Sequence, residues 1–332
     1  MPSDPASQLH AVDALEIQVL VDNVTDSLST VPSGVVNENA VLVQHGLTLM
    51  SGEAKCCAHH GLSLVITARV GGDRQVLLFD AGPEAYTVTR NGALLGVPFG
   101  TVGAVALSHG HWDHAGGLAE AVRLVVANNG GVPVPCHVNP GMFVSRANMR
   151  PDGSYQAYKD IPSPRELAAS GAEVVNTPEA RLLLERTFYL SGEIPRVTPY
   201  ERGYPGHFKR AADGRSWEPD PWLLDERYIA AHVKGKGIVV LTACSHSGVV
   251  NVLKNARELF GDVPLHAVMG GFHLAGSTVQ PAIAETVRDL GEFGLKRIAP
   301  AHCTGWRAVH ALAQVFPEDV LVPSAVGRKY LF

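Results

Sequence analysis

Hydrophobic and polar positions along this chain fall into two alternating rhythms. Glu16 to Val21 alternates with period two and predicts a strand. Leu62 to Val70 and Gln75 to Phe79 do the same about Gly71-Gly72-Asp73, which predicts a hairpin. Val102 to Leu107 is a continuous apolar run and reads as a buried strand. Leu118, Val122, Val125 and Val126 then recur at helical spacing, so Leu118 to Ala127 is predicted to be a helix lying on a sheet. Val132 to Val138 resumes an extended path, and Leu167 to Val175 reads as helix, Gly turn, strand.

The second half repeats the theme. Tyr228 to Val233 and Gly237 to Ala243 predict a hairpin turning at Lys234-Gly235-Lys236-Gly237. Val249 to Phe260 predicts a helix, Leu265 to Met269 a strand, Thr278 to Phe293 a helix and Arg297 to Ala299 a short strand. Three stretches lack strong patterning. Residues 24–60 read as a long loop with a short helix, and 139–163 as a polar, aromatic insertion. Residues 195–222 carry Pro195, Pro199, Pro205, Pro219 and Pro221, which preclude long helices. Loops of that length inside a domain are usually functional, so all three are expected to cover a pocket. One domain over 1–332 is the expectation.

The polar residues that interrupt the apolar runs carry the chemistry. Histidines recur at predicted strand ends, at 109, 246, 273 and 302, which suggests several strands aiming their loops at one place. Just past Leu107 stands Ser108-His109-Gly110-His111-Trp112-Asp113-His114-Ala115-Gly116-Gly117. Three imidazoles and a carboxylate within six residues rarely arise for packing reasons. His109 and His111, two residues apart, can reach one ion, and Asp113 and His114 a second beside it. Imidazole with carboxylate suits Zn2+, with Mn2+ or Fe2+ as alternatives, rather than Ca2+.

Composition narrows the picture. An apolar fraction of 46%, 18% charged residues and a net charge of −5 over 332 residues describe a globular protein with a sizeable core. The acidic balance, with no basic run, argues against nucleic acid as the main partner. No apolar stretch is long enough to span a membrane. Met1 to Ala14 has no basic segment followed by an apolar one, so no signal peptide is expected. Five cysteines without a C-x-x-C pair make a disulfide framework unexpected and a reducing cytoplasm the simplest setting. Of Cys56-Cys57-Ala58-His59-His60, neighbouring side chains point opposite ways, and His60 is favoured as a pocket-edge residue. Tyr200, Arg202, Tyr204 and His207 on the proline-rich loop could grip an anionic or phosphorylated small molecule. A homo-oligomer stays open.

Ser108 to Gly117 resembles the signature of the metallo-β-lactamase fold superfamily. Leu77-Leu78-Phe79-Asp80-Ala81-Gly82, Thr242-Ala243-Cys244-Ser245-His246, Gly270-Gly271-Phe272-His273-Leu274 and Pro300-Ala301-His302-Cys303-Thr304-Gly305 resemble one branch of it. That branch is named for 7,8-dihydropterin-6-methyl-4-(ribofuranosyl)aminobenzene 5′-phosphate synthase. The resemblance implies an αββα sandwich, two mixed sheets flanked by helices. It implies metal ligation, by two ions, through His109, His111, Asp113, His114 and His302, with His246 the best remaining ligand. It places Asp80 beneath the metals, holding a ligand histidine in its tautomer. The common superfamily pattern offers a bridging aspartate at a strand end where this chain has Thr242-Ala243-Cys244-Ser245-His246; Cys244 is expected as a supporting residue, with a thiolate ligand as the alternative. His207 and His137 are outside candidates as ligands. Asp113 and His273 are the expected catalytic residues, Asp113 orienting the attacking water and His273 protonating a leaving group or steadying a phosphate. Three functions follow: a hydrolase of an ester, lactone or phosphodiester using metal-generated hydroxide, a synthase joining a dihydropterin to an aminobenzene ribosyl phosphate, or a non-enzymatic metal-binding protein.

Overall fold

The alternating stretches become two stacked β-sheets in the computed structural model, which describes residues 5–332. Met1 to Asp4, part of the N-terminal stretch read above, lie outside the described residues. The first sheet has eight strands in the order Ala172–Asn176, Val134–Val138, Val102–Ala106, Asp73–Phe79, Ser63–Val70, Ala14–Val21, Lys329–Leu331 and Val35–Val36. The second runs Arg181–Leu183, Phe188–Leu190, Ile229–Val233, Gly237–Leu241, Leu265–Gly271 and Arg297–Ala301, with Ala11–Val12 added beside Ile229–Val233.

Period-two alternation sorts side chains between faces. Ile17, Val19, Leu64, Ile66, Leu77 and Phe79 point from the first sheet into the space between the sheets, against Ile229, Ala231, Val239, Leu241, Ala267 and Met269 of the second. The intervening residues point outward. Leu20, Val65, Leu78 and Val105 pack beneath Val88, Leu118, Val122 and Val125 of the helices Ala85–Leu94 and Leu118–Asn128. Val240, Val268 and Ile298 pack beneath Leu253, Ala256, Val287, Leu290 and Leu312 of the helices Val249–Phe260, Ile283–Leu290 and Trp306–Ala313. Helix, sheet, sheet, helix is the αββα order expected.

Parallel strands supply the site. Asp73–Phe79, Val102–Ala106 and Val134–Val138 run parallel, as do Gly237–Leu241, Leu265–Gly271 and Arg297–Ala301. Their carboxyl ends therefore deliver loops to one edge of each sheet, where ligands of such sheets usually bind.

Several expectations need correction. Pro281 interrupts the long helix expected over 278–293, which divides into short 3-10 turns flanking Ile283–Leu290. The helix before Gly171 is Pro164–Ala169, set by a Ser163–Glu166 capping box. The strand after it is Ala172–Asn176. Residues 195–222 are not loop alone. His207–Arg210 and Trp217–Pro219 form a hairpin that pairs with Arg146–Met149 and, through it, Tyr155–Ala157 in a third, four-stranded sheet. Two predicted insertions thus fold onto each other. Among the described residues, no helix is long and apolar enough to cross a membrane.

Candidate metal centre

Five histidines, one aspartate and one cysteine meet at the sheet edges. His109 Nε2 lies 3.0 Å from His111 Nδ1 and 3.2 Å from His246 Nε2. Beside this triad, His302 Nε2 lies 3.3 Å from His114 Nε2 and 3.2 Å from Asp113 Oδ2. The His109 and His114 rings are 4.4 Å apart, so the two groups are adjacent. All six side chains are buried.

The surrounding hydrogen bonds dictate which nitrogens carry lone pairs. Asp80 Oδ2 accepts from His114 Nδ1 at 2.7 Å, leaving Nε2 free to face inward. Ser108 Oγ donates to Asp80 Oδ2 and so accepts from His109 Nδ1, both at 2.8 Å. Asn23 Oδ1 accepts from Gly61 N and from His302 Nδ1 at 3.0 and 2.9 Å. His207 Nδ1 donates to the Asp220 carbonyl at 2.8 Å, so its Nε2 accepts from His111 Nε2 at 3.0 Å and His111 presents Nδ1 to the centre. Acceptors therefore converge on acceptors. Such a set is stable only around cations, and imidazole, carboxylate and thiol donors fit ions of the zinc class.

Electrostatics agree. Burial drives His109, His111 and His246 well below the usual imidazole range, keeping them neutral. Burial also works on Asp113 and His114, but there the charge partners win. Asp113 is held below the usual carboxylate range by His114 and His302, and Asp113 with Asp80 lifts His114 to about 9.

Buried carboxylates grip the backbone of each ligand-bearing loop. Asp80 accepts from Ser108 N, Asp225 from Gly110 N, Glu226 from His246 N and Ser247 N, and Asp22 from His302 N, at 2.7 to 3.0 Å. Arg146 closes the Asp225 contact at 2.6 Å. Asp80, Ser245, His273 and His302 all have φ between 44° and 60°, in the left-handed region that non-glycine residues avoid. Strain at four strand ends turns these side chains inward.

Beside His246 and His273 opens a cavity of about 760 Å³, also lined by Tyr200, Arg202, Thr278 and Arg288. The His273 ring lies 4.2 Å from that of His246, tilted to it, and 4.7 Å from that of Tyr204, edge-on, and neither of its ring nitrogens has a hydrogen-bond partner. Tyr204 also covers His246 and His207 nearly parallel to each ring. Arg202 lies at the rim, donating to the Pro199 carbonyl. His60 groups with Asp113 and His302, 3.4 Å from Asp113 Oδ2, whereas His59 turns to Glu84 and Cys57 to Asn91. His137 belongs to none of the metal-ligating clusters. Burial, with Arg181 and Arg227 nearby, pushes it down to about 4. His207 stands behind His111, supporting it, rather than among the inward-facing donors. Asn23, Asp225 and Glu226 carry no local signal in the sequence, because their partners His302, Gly110 and His246 lie far along the chain or are reached only through the fold.

Residues 59–261, more than half of the chain, match the metallo-beta-lactamase superfamily, and the chain belongs to it. It is 27% identical over 265 residues to the 7,8-dihydropterin-6-methyl-4-(beta-D-ribofuranosyl)-aminobenzene-5'-phosphate synthase of Methanocaldococcus jannaschii, covering 79% of this chain and 86% of that protein. An uncharacterized protein of the same organism is 29% identical over 262 residues, covering 79% of this chain and 90% of that protein. Among solved structures, a metal-dependent hydrolase of the beta-lactamase superfamily superposes with a TM-score of 0.68 at 22% identity, covering 95% of this chain and 98% of that one. Unliganded yeast PDE1 superposes at 0.50 with 10% identity, covering 97% and 100%. At those identities the structural likeness establishes the fold.

Proposed function

We propose that this protein is a dinuclear metal-dependent enzyme that hydrolyses an ester, lactone or phosphodiester of a small anionic molecule. The convergence of acceptor atoms from His109, His111 and His246 beside those from Asp113, His114 and His302 carries this reading. Bound ions of the zinc class would supply Lewis-acid charge and a water acidified toward neutrality.

The protein groups do the rest. His109, His111 and His246 would hold one position, and Asp113, His114 and His302 the other, with every ring except that of His246 aimed by its outer hydrogen bond. Tyr204 covers the first triad and keeps bulk water from one side of it. His273, unpartnered and on the cavity wall, is placed to hand a proton to a leaving oxygen or nitrogen. Arg202 at the cavity wall would attract a phosphate or carboxylate, whereas Arg288 is already paired with Asp289 at 2.7 Å. The cavity volume is within the range of small-molecule sites.

A synthase joining a dihydropterin to a ribofuranosyl-aminobenzene phosphate is the second reading, favoured by the relative at 27% identity over most of the chain. It would use the same metals, with the cavity holding the phosphorylated partner. The test loads the protein with Zn2+ or Mn2+ and offers a bis-aryl phosphodiester, a lactone, an aryl ester and, separately, a dihydropterin diphosphate with the aminobenzene ribosyl phosphate. Turnover of a simple ester that is lost in Asp113→Ala supports hydrolysis. Turnover only of the pterin pair supports the synthase, and none with both ions bound overturns both.

A further inference from the structure

Where the superfamily pattern offers an aspartate between its two metal positions, this chain has a thiol, and the structure shows where that sulfur goes. Cys244 Sγ stands 3.2 Å from His114 Nε2 in the second triad. It also groups with ring nitrogens of His109 and His246 in the first triad and, separately, of His114 and His302 in the second, the ligand atoms of each group lying within 4.8 Å of one another. It is the one side chain common to both.

The backbone is built to put it there. Cys244 sits three residues beyond the parallel strand Gly237–Leu241, and Ser245 behind it takes a left-handed φ of 57°. Gly271 on the neighbouring strand leaves the room. A Cβ there would lie 3.4 Å from Cys244 Cα and 2.6 Å from the sulfur of Cys303. Cys303 is the second thiol, its Sγ 3.4 Å from Cys244 Sγ, but it groups only with Cys244 and His273 and with neither triad. Cys244 is therefore the sulfur that both triads can use.

We propose that Cys244, as a thiolate, is a ligand shared by the two metal positions, and that it gives the centre a preference for zinc-class ions over Mn2+. The inference rests on the dinuclear reading above. A bound ion takes a thiol as its thiolate and releases the proton. Thiolate is a soft donor that selects Zn2+ and Co2+, whereas a carboxylate in its place accommodates Mn2+. An Asp113-type oxygen donor alone gives no such preference.

The test titrates the metal-free full chain with Co2+ and follows both the bound metal and the near-ultraviolet thiolate-to-cobalt charge-transfer band, which nitrogen and oxygen ligands cannot produce. The expected result is about two cobalt ions per chain with the band present. Cys244→Asp should keep both ions and lose the band, with competition shifted toward Mn2+ by about tenfold or more. Cys303→Ala should keep the band. X-ray absorption of the zinc-loaded wild type should show a sulfur scatterer at about 2.3 Å, which needs no variant to fold. A band that survives Cys244→Asp, or that disappears in a folded Cys303→Ala, overturns the assignment. Two cobalt ions with neither band nor sulfur scatterer overturn the thiolate ligand while sparing the two triads. No bound cobalt overturns both readings.

Discussion

His207 shows how a side chain outside the centre controls one inside it. Its Nδ1 is committed to the Asp220 carbonyl, so its Nε2 forces the His111 proton outward and leaves Nδ1 for the metal. His207→Ala should weaken metal binding about 10- to 100-fold, measured by competition with a chromophoric chelator, with the folded state retained. An unchanged affinity would show that His111 needs no support. Asn23 does the same for His302. Asn23→Leu should lower occupancy of the second position selectively, read as loss of one of two bound metals by elemental analysis.

Elements are held in place by groups that titrate. Glu201 accepts from Val250 N and Asn251 N at the start of the helix Val249–Phe260, immediately after the loop that carries His246. Its burial outweighs those hydrogen bonds and raises its carboxyl from 4.5 to about 7. Between those values the folded chain binds a proton that the unfolded chain does not. Its contribution to stability is full below pH 4.5 and is lost as pH rises through about 7, on the order of 3 kcal/mol. Denaturant unfolding of the metal-free protein at pH 5 and pH 8 should show Glu201→Gln losing less stability than the wild type over that interval. Equal losses would mean that another buried group governs the slope. Glycine contacts set another limit on the elements. A Cβ at Gly116 would lie 1.8 Å from the Pro83 carbonyl oxygen, so Gly116→Ala should displace the Asp113–His114 turn and cost several kcal/mol.

For the whole molecule, both triads draw ligands from both sheets. His109, His111, Asp113 and His114 leave the first sheet, and His246 and His302 the second. Metal binding should therefore clamp the sandwich together rather than one loop. Saturation with Zn2+ at 100 times its dissociation constant should stabilise the fold by about 2.7 kcal/mol per independent site. Calorimetry before and after chelation would check it, and an unchanged transition would place the ions outside the folded sandwich.

Much of this was legible without coordinates, and the reason is periodicity. Strands with one buried face must alternate, so Glu16–Val21, Leu62–Val70 and Gln75–Phe79 could be found from residue type alone. The ligand run at His109–His114 was legible because all its donors are local. What lay beyond reach depends on contacts between distant segments. The proline-rich 195–222 stretch pairs with 146–149 through backbone hydrogen bonds that no local pattern encodes. Asp225 reaches Gly110, Asn23 reaches His302, and Cys244 comes to rest against His114 across 130 positions of chain. The sequence by itself determined most strands and helices and the local run of donors at His109–His114, because these follow from side-chain period and local spacing, while the layered order and the places of His246 and His302 came from its resemblance to the superfamily. Only the tertiary structure decided which nitrogen of His109, His111, His114 and His302 faces inward, which carboxylates hold the loops and which thiol stands between the triads, because each is settled by a partner brought near through folding.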